Sequence, residues 1–334
     1  MELILTLDVG TTSVKACLFD RQLRQTALTS REYALQTRGV CAEVEAQVYL
    51  DAAAQCILAL PAEARAKVCA VALTTQGETL LCVDRQGKAL RPAIVWLDSR
   101  AEAQAARLAA ALDRQRFYER TGLPELSGAL PLAKLLWLRE QEPESWARTD
   151  KVLLLEDYLM LWLTGRAVTE KSLLTSTGYF DLQSDDYWDE ALALAELDRT
   201  RLPQALACGS IVGPVLPEVA EALGLPASAC VVTGAMDQTA AALAAGCTRP
   251  GTLCETTGTA MVAAAFTAHP QFSEDHHVTI YRHAMPGAYL YLPISNTIGM
   301  SLRWFRDEFC RDLDGGYAAL DRLGEEGTVR RFAP

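Results

Sequence analysis

The alternation of apolar and polar residues predicts an α/β fold at the start of the chain. Residues 3–8 and 14–20 are short, apolar, β-favouring runs separated by a polar turn, and a third strand is predicted near 25–35. A helix over 47–60 and an apolar strand over 68–73 follow. Strands followed by a helix and another strand indicate a layered α/β domain.

The middle of the chain continues with mixed elements. The segments LLCVD, RQGK and ALRPAIVW predict a hairpin, and an Ala-rich helix is predicted to begin near Ser99. The span 132–164 is predicted as helices interrupted at Pro143. A buried strand over 229–233 then leads into a second Ala-rich helix.

The last part of the chain repeats the opening pattern. Three strands are predicted at 252–266, 279–282 and 288–293. A helix over about 297–310 follows, with Trp304 and Phe305 on its apolar side. Three strands followed by a helix also open the chain, so the pattern favours two copies of one fold hinged near 246–251.

Composition narrows the class of protein. The 334 residues are 50% apolar and 22% charged, which permits a large core and favours two domains. The net charge of −11 repels polyanions, so we predict no nucleic-acid partner. An anionic nucleotide could still bind where local N–H groups, a few cations or a metal ion overcome that field.

The chain carries no targeting or membrane signal in its sequence. It enters an apolar strand directly after Met1, and it has no run of about 18 apolar residues. Its 10 cysteines are scattered singly, without a C-x-x-C pair, which predicts reduced and mostly buried thiols. We therefore expect a cytoplasmic protein without a membrane partner.

The first candidate site is a turn that combines an acid, a glycine, three hydroxyls and a lysine: Asp8, Gly10, Thr11, Thr12, Ser13 and Lys15. Its N–H and O–H groups could bind phosphate oxygens while the acid orients a hydrated Mg²⁺ ion. The alternative is an ordinary Gly-Thr hairpin turn, which is the commoner case for this motif alone. The sequence contains neither a P-loop nor a dinucleotide fingerprint.

Two more candidates follow in the second half. Asp237 stands after an apolar strand at the start of a helix, where the helix N-terminus favours the charged, proton-accepting carboxylate. Plain helix capping is its alternative. Gly258 and Thr259 belong to a second Gly-Thr turn, for which a hairpin is again the alternative. Two such turns, one from each half, could close on a nucleotide with the acid between them.

Several segments, in this order, resemble the FGGY carbohydrate kinases: LDVGTTSVKACLFD, TTQGETLL, GKALRPAIVWLDSRA, LLEDYLMLWLTG, TGAMDQTAAALAAG, CETTGTAMVAA and SLRWFRDEF. The resemblance implies two ribonuclease-H-like, actin-type ATPase domains, the second incomplete. Residues 1–246 would form the N-terminal sugar-binding and catalytic domain, and 247–334 a partial nucleotide-binding domain. Family members continue beyond Pro334, so the resemblance also implies a C-terminally truncated chain with weakened ATP binding. A homodimer stays open.

The resemblance assigns roles residue by residue. It implies that Asp237 is the catalytic base and that Asp8 binds Mg²⁺ through water. It implies nucleotide contacts at Gly10, Thr11, Thr12, Ser13, Lys15, Gly258, Thr259, Gly299 and Arg303, the last replacing a common Gln. It implies substrate contacts at Gln76, Gly77, Glu78, Asp237 and Gln238. Gly77 and Ala129 replace an arginine and an aromatic residue of glycerol kinase, so we expect an enlarged pocket that disfavours glycerol.

The predicted function is therefore ATP-dependent phosphorylation of a hydroxyl of a small sugar or polyol, with ATP and Mg²⁺ as the required cofactors. Two alternatives come from other classes. A non-catalytic sugar-binding or regulatory protein would keep the pocket and lose nucleotide turnover. An actin-like or chaperone-like ATPase would hydrolyse ATP without a sugar acceptor.

Overall fold

The computed structural model describes residues 2–257, 261–275, 277–295, 298–311 and 316–326, and every structural statement below concerns these ranges. The strands are β1 (Leu3–Val9), β2 (Ser13–Phe19), β3 (Gln25–Glu32), β4 (Gln36–Arg38), β5 (Cys41–Val44), β6 (Val68–Thr75), β7 (Leu80–Val83), β8 (Ala93–Ile94), β9 (Lys151–Leu154), β10 (Val168–Glu170), β11 (Phe180–Asp181), β12 (Asp186–Tyr187), β13 (Gln204–Leu206), β14 (Ile211–Pro214), β15 (Cys230–Met236), β16 (Leu253–Thr257), β17 (Met261–Thr267), β18 (Ile280–Arg282), β19 (Tyr289–Tyr291) and β20 (Ile294–Ser295).

The helices are α1 (Ala46–Ala59), α2 (Ala62–Arg65), α3 (Glu102–Ala111), α4 (Arg114–Thr121), α5 (Pro131–Gln141), α6 (Pro143–Arg148), α7 (Leu155–Thr164), α8 (Lys171–Leu174), α9 (Asp189–Leu194), α10 (Pro217–Leu223), α11 (Asp237–Ala244), α12 (Ile298–Phe309) and α13 (Gly316–Glu326). A short 3₁₀ turn covers Arg199–Arg201. Within the described ranges, no helix has both the length and the apolar character needed to cross a lipid bilayer.

The central sheet has the strand order β14-β15-β6-β1-β2-β3. β2 runs antiparallel to both β1 and β3, β6 and β15 run parallel to β1, and β14 pairs antiparallel with β15 at the edge. Three antiparallel strands followed by two parallel ones agree with the ribonuclease-H-like expectation. Alternate residues of β1 are fully buried, as the apolar alternation in LILTLDV predicts.

A second, wholly antiparallel sheet is built from β16-β17-β19-β18, with β20 also paired to β17. The β16–β17 hairpin repeats the β1–β2 hairpin that opens the chain, which agrees with the predicted repeat. A further sheet, β4-β5-β8-β7-β9, includes the predicted LLCVD and ALRPAIVW strands. Two small pairs, β10 with β13 and β11 with β12, complete the strand pairing in the described ranges.

Two apolar cores hold these layers together. One lies around the central sheet, where α1, α7 and α10 cover strands β1, β2 and β6. The other joins helices α3, α4 and α5 to the second sheet through Ile280, Leu290 and Leu292. A backbone hydrogen bond of 2.8 Å from Ile280 N to Gly122 O ties β18 to the end of α4. The second sheet is thereby packed directly on the first half of the chain.

Two details differ from the predicted elements. The span 132–164 was predicted as helices, but Lys151–Leu154 forms strand β9, paired antiparallel with β7. A lysine and three apolar residues that lead without a turn into helix α7 carry no local strand signal. The predicted apolar side of α12 is also exposed among the described residues, since Trp304 and Phe305 are 59% and 46% accessible.

Candidate active site

Three strand ends place polar side chains at one edge of the central sheet. Asp8 lies near the end of β1, Gln76 and Glu78 follow β6, and Asp237 follows β15. Asp8 is in register with Thr74 of β6, and Met236 is in register with Thr75. Because β1, β6 and β15 are parallel, their carboxyl ends meet at the same edge, which is where ligands bind in such sheets.

A cavity of about 550 Å³ opens at this edge. Both halves of the chain line it. The central-sheet side provides Thr11, Gln76, Gly77, Glu78, Trp96, Leu97, Ala129, Met236, Asp237 and Gln238. The second sheet and its loops provide Val262, Tyr281, Leu292 and Ile294. The structure thus brings together all five predicted substrate-contact residues.

The position of Asp237 depends on an irregular strand end. The pairing of β15 with β6 shifts register between Val232 and Ala235, and a Cβ atom on Gly234 would lie 1.4 Å from the Leu73 carbonyl oxygen. Only glycine allows that approach. Strand β15 then runs into helix α11, whose first residue is Asp237.

The electrostatics of Asp237 differ from the sequence expectation. Burial raises the pKa of Asp237 to about 6, helped by the charge of Asp8 and opposed by a hydrogen bond from Gln238 N to Asp237 Oδ1. We expected the helix N-terminus to favour the ionised form. Desolvation outweighs that effect because the carboxyl faces a largely apolar cavity. The carboxyl is still mostly ionised at pH 7.

The predicted phosphate turn has the backbone of a tight hairpin. Gly10 N donates to Ser13 O at 3.0 Å, and the Tyr33 hydroxyl donates to Gly10 O. A Cβ atom on Gly10 would meet Ser13 O at an ordinary 3.7 Å, and its φ lies outside the left-handed region. The fold therefore does not require glycine at position 10. If a side chain at this position impairs the protein, the reason is its effect on ligand binding.

The side chains of this turn face solvent or the cavity. Thr11 lines the cavity and accepts a hydrogen bond of 2.9 Å from Trp96 Nε1. Thr12 is exposed, and Ser13 is half-buried. Lys15 is exposed and lies 3.2 Å from Asp8 Oδ2, so the predicted metal-binding acid already has one cation beside it.

Residues Gln76, Gly77 and Glu78 form the floor of the cavity. Gln76 is buried, its Nε2 lies 3.4 Å from the Tyr49 hydroxyl, and its Oε1 has no hydrogen-bond partner. Glu78 has a φ of +62°, a left-handed conformation that non-glycine residues seldom adopt. Burial raises the pKa of Glu78 to about 7, with Lys134 opposing the shift and Asp237 adding to it. Backbone strain and a perturbed pKa together are typical of a functional site.

The expected enlargement of the pocket at Gly77 is only partly correct. A Cβ atom at this position would stand 3.2 Å from Met236 Sδ and from Ser176 Oγ, so these side chains already fill the space beside Gly77. Ala129 does line the cavity, as the smaller replacement of an aromatic residue suggests.

Three residues of the site were missed in the sequence. Trp96 bridges the phosphate turn and the cavity, Tyr281 reaches the cavity from β18, and Lys134 lies fully buried near Glu78. Lys134 Nζ donates to Val95 O at 3.0 Å, and burial lowers the pKa of Lys134 to about 8 against the opposing charge of Glu78. A lysine on an apolar helix face was the one signal that could have indicated Lys134.

Of the remaining predicted nucleotide contacts, Arg303 does not line the cavity. Gly258 and Thr259 lie outside the described residues. Gly299 belongs to the first turn of α12. Arg303 is 72% exposed in the same helix and lies 3.7 Å from Asp307. Their assigned roles stay predictions.

The residues present fit a hydrated Mg²⁺ ion that arrives with a nucleotide. Mg²⁺ keeps several waters and is held by one or two carboxylates together with substrate phosphates. Asp8 lies at the sheet edge and interacts electrostatically with Asp237, so Asp8 can supply such a carboxylate beside the proposed base. In the described part of the chain, no group of three or more His, Cys, Asp or Glu side chains could hold a metal ion unaided.

The chain is similar to known proteins over most of its length. Residues 3–244 match the FGGY family of carbohydrate kinases, N-terminal domain. The xylulose kinase of Lactococcus lactis subsp. lactis is 30% identical over 318 residues, which cover 94% of this chain and 63% of that protein. The gluconokinase of Bacillus subtilis is 27% identical over 312 residues, which cover 92% of this chain and 60% of that protein.

A solved structure shows the same fold. The xylulose kinase from Rhodospirillum rubrum superposes with a TM-score of 0.90 at 28% identity, covering 98% of this chain and 68% of that one. The predicted fold class, two ribonuclease-H-like domains of which the second is present in part, is confirmed. The chain spans about two thirds of the length of these relatives. Family match, shared fold and site geometry lead to one conclusion: the chain belongs to the FGGY family of carbohydrate kinases.

Proposed function

We propose that the protein transfers a phosphoryl group from MgATP to a hydroxyl of a small sugar or polyol, with Asp237 as the proton acceptor. The observation that carries this proposal is the convergence of Asp8, Glu78 and Asp237 at one sheet edge, beside a cavity of sugar size. The xylulose kinase and gluconokinase among the similar proteins support a polyhydroxylated acceptor.

Each group has a defined part in this reaction. Gln76, Glu78 and Gln238 hold the hydroxyls of the acceptor. The turn from Gly10 to Ser13, with Lys15 beside it, receives phosphate oxygens through N–H, O–H and ammonium donors. Asp8 would hold a hydrated Mg²⁺ ion, which would supply charge neutralisation at the phosphates. Phosphoryl transfer depends mainly on such positioning and charge neutralisation.

Asp237 removes a proton late in the reaction. A carboxyl with a pKa of about 6 is a far weaker base than an alkoxide, so it does not ionise the alcohol beforehand. It accepts the proton as the hydroxyl oxygen begins to bond to phosphorus. The raised pKa makes this carboxylate a better proton acceptor than a solvated aspartate while it stays ionised at neutral pH.

Sugar-dependent release of ADP tests the proposal. We expect MgATP turnover that requires a neutral or acidic polyol or ketose from a panel of four to six carbons. Sugar binding without ADP release would instead support the non-catalytic alternative, and ADP release without sugar would support the ATPase alternative. Cytoplasmic location, a homodimer and the lack of a nucleic-acid partner stay predictions.

A further inference from the structure

Building on the proposed function, we infer that the acceptor is an uncharged polyol or ketose and that the cavity rejects sugar acids. The similar proteins include both a xylulose kinase and a gluconokinase, so family membership does not choose between a neutral and an acidic substrate. The charges and hydrogen-bonding groups around the cavity favour the neutral substrate.

The cavity wall is negative. Glu78 and Asp237 are the ionisable acids among its described lining residues, and no Lys, Arg or His of the described chain is among those residues. Asp8 lies close to Asp237 but is paired with Lys15 at 3.2 Å, and neither Asp8 nor Lys15 is among the lining residues. A substrate carboxylate in this space would meet two like charges, Glu78 and Asp237, which repel it.

The nearby cations are already engaged elsewhere. Lys134 is fully buried, donates to Val95 O at 3.0 Å and interacts with both Glu78 and Asp98, so it offsets only part of the charge of Glu78. Arg100 forms ion pairs with Asp98 at 2.6 Å and with Glu43 at 2.7 Å. These contacts leave neither cation directed at the cavity, so neither can serve as the partner of a substrate carboxylate.

The charged groups that line the cavity are hydrogen-bond acceptors, whereas the Gln238 amide and the Thr11 and Tyr281 hydroxyls can both donate and accept. Gln76 Oε1 is buried without a partner in the protein, and the carboxylates of Glu78 and Asp237 accept hydrogen bonds when ionised. A hydroxyl can donate to each of these atoms, whereas an ionised carboxylate has no proton to donate. The acceptor set therefore matches the hydroxyls of a neutral sugar.

The rest of the wall favours the same class of ligand. Trp96, Met236, Val262 and Leu292 line the cavity with apolar surface. Such surface packs against the C–H faces of a polyol and provides no solvation for an additional charge. Charge, hydrogen bonding and packing thus all favour an uncharged polyol or ketose.

Matched pairs of ligands test the inference. Binding is measured by isothermal titration at pH 8, above the pKa of about 7 of Glu78 and of about 6 of Asp237, so that both are ionised. The pairs are xylitol with D-xylonate and D-glucitol with D-gluconate, together with the pentuloses and hexuloses. We expect the best neutral ligand to bind at least about 100-fold more tightly than the best aldonate. An aldonate that binds as tightly as any neutral ligand, or a lack of binding by both classes, overturns the inference.

A variant locates the source of the discrimination. Glu78→Gln keeps the size of the side chain and removes its charge, so the preference for neutral ligands should shrink about tenfold. The exposed Glu63→Gln is the matched control and should keep the full preference. An unchanged preference in a folded Glu78→Gln protein would contradict the role given to Glu78.

Different results would overturn the proposed kinase activity and the inferred preference for neutral sugars. ADP release with an aldonate but no neutral sugar would leave the kinase assignment intact and overturn the inference. Neutral-selective binding without ADP release from any sugar would keep the inference about the cavity and overturn the proposed phosphotransferase activity.

Discussion

The Ser172 hydroxyl accepts a hydrogen bond of 3.1 Å from the backbone N–H of Met236, the residue that precedes Asp237. The same hydroxyl donates to the buried carboxyl of Glu170, which also accepts from Ser172 N at 2.8 Å. Glu156 Oε1 accepts from Gly234 N at 3.0 Å. Buried side chains therefore hold two backbone N–H groups of the strand end from which Asp237 projects.

Replacing Ser172 should affect turnover more than binding. In Ser172→Ala, Met236 N and Glu170 each lose a buried partner, which costs about 1 to 3 kcal/mol of stability. Because a small displacement of a catalytic group is costly, we expect kcat to fall about 10- to 100-fold while KM for the sugar changes less than about threefold. Steady-state kinetics of ADP release measure this split.

The exposed Ser184→Ala is the control for that experiment and should keep wild-type kinetics. A Ser172→Ala protein with lowered stability and unchanged kcat would show that the network supports the fold without positioning Asp237.

The pH dependence of turnover should report the raised pKa of Asp237. The base must be ionised to accept a proton, so kcat should fall as the pH drops through about 6. Below that value the loss should approach tenfold per pH unit. An acidic limb near pH 4, the usual range of an exposed aspartate, would show that burial does not control this carboxyl in the complex.

Buried acids should make the fold less stable as the pH rises. Burial raises the pKa of Asp157 to about 8, whereas an unfolded aspartate titrates near 4. Between these values the folded state binds more protons than the unfolded state, so the free energy of unfolding decreases with increasing pH. Asp157→Asn keeps an acceptor for Leu154 N and removes the titrating group.

Urea unfolding at pH 5.5 and pH 8 measures this effect. Between pH 5.5 and pH 8, the free energy of unfolding of the wild type should fall by at least about 2 kcal/mol more than that of Asp157→Asn. Equal losses in the two proteins would mean that Asp157 is ionised in the folded chain.

Two glycines should separate folding from function. A Cβ atom at Gly234 would overlap the Leu73 carbonyl oxygen at 1.4 Å, so Gly234→Ala should destabilise the fold by at least about 3 kcal/mol. Gly10→Ala meets nothing closer than 3.7 Å and should melt within a few degrees of wild type, yet bind MgATP more weakly. Thermal melts and nucleotide titrations check both. A Gly10→Ala protein with unchanged nucleotide affinity would show that the turn is a structural hairpin only.

Local signals in the sequence were sufficient to select Asp8 and Asp237 as candidate site residues, whereas Glu78 was selected only from the resemblance to the FGGY kinases. Asp8 lies near the end of an apolar strand and Asp237 follows one, and the parallel pairing of both strands with β6 brings these ends together. The strands β1, β2 and β6 were predicted from short apolar, β-favouring runs, and helix α1 was predicted from apolar residues at mixed helical spacing.

Contacts between distant segments could not be predicted in this way. Trp96 and Thr11 are 85 positions apart, and Tyr281 enters the cavity only because the second sheet packs on helix α4. The space beside Gly77 seemed open in the sequence, but Met236 and Ser176 fill it. The helix dipole likewise predicted the wrong direction for the pKa shift of Asp237. The desolvation that raises this pKa depends on the walls of a cavity formed by distant segments, which the local sequence does not describe.

Asp237→Asn tests the central claim most directly. The amide keeps the size of the side chain and removes the proton acceptor, and the exposed Asp51→Asn serves as the matched control. Sugar-dependent ADP release, measured at pH 7.5 with the sugar that the panel identifies, should fall by about 10² to 10⁴ in Asp237→Asn. Sugar affinity should change far less, and Asp51→Asn should match wild type. Turnover of Asp237→Asn within about threefold of wild type would contradict the account.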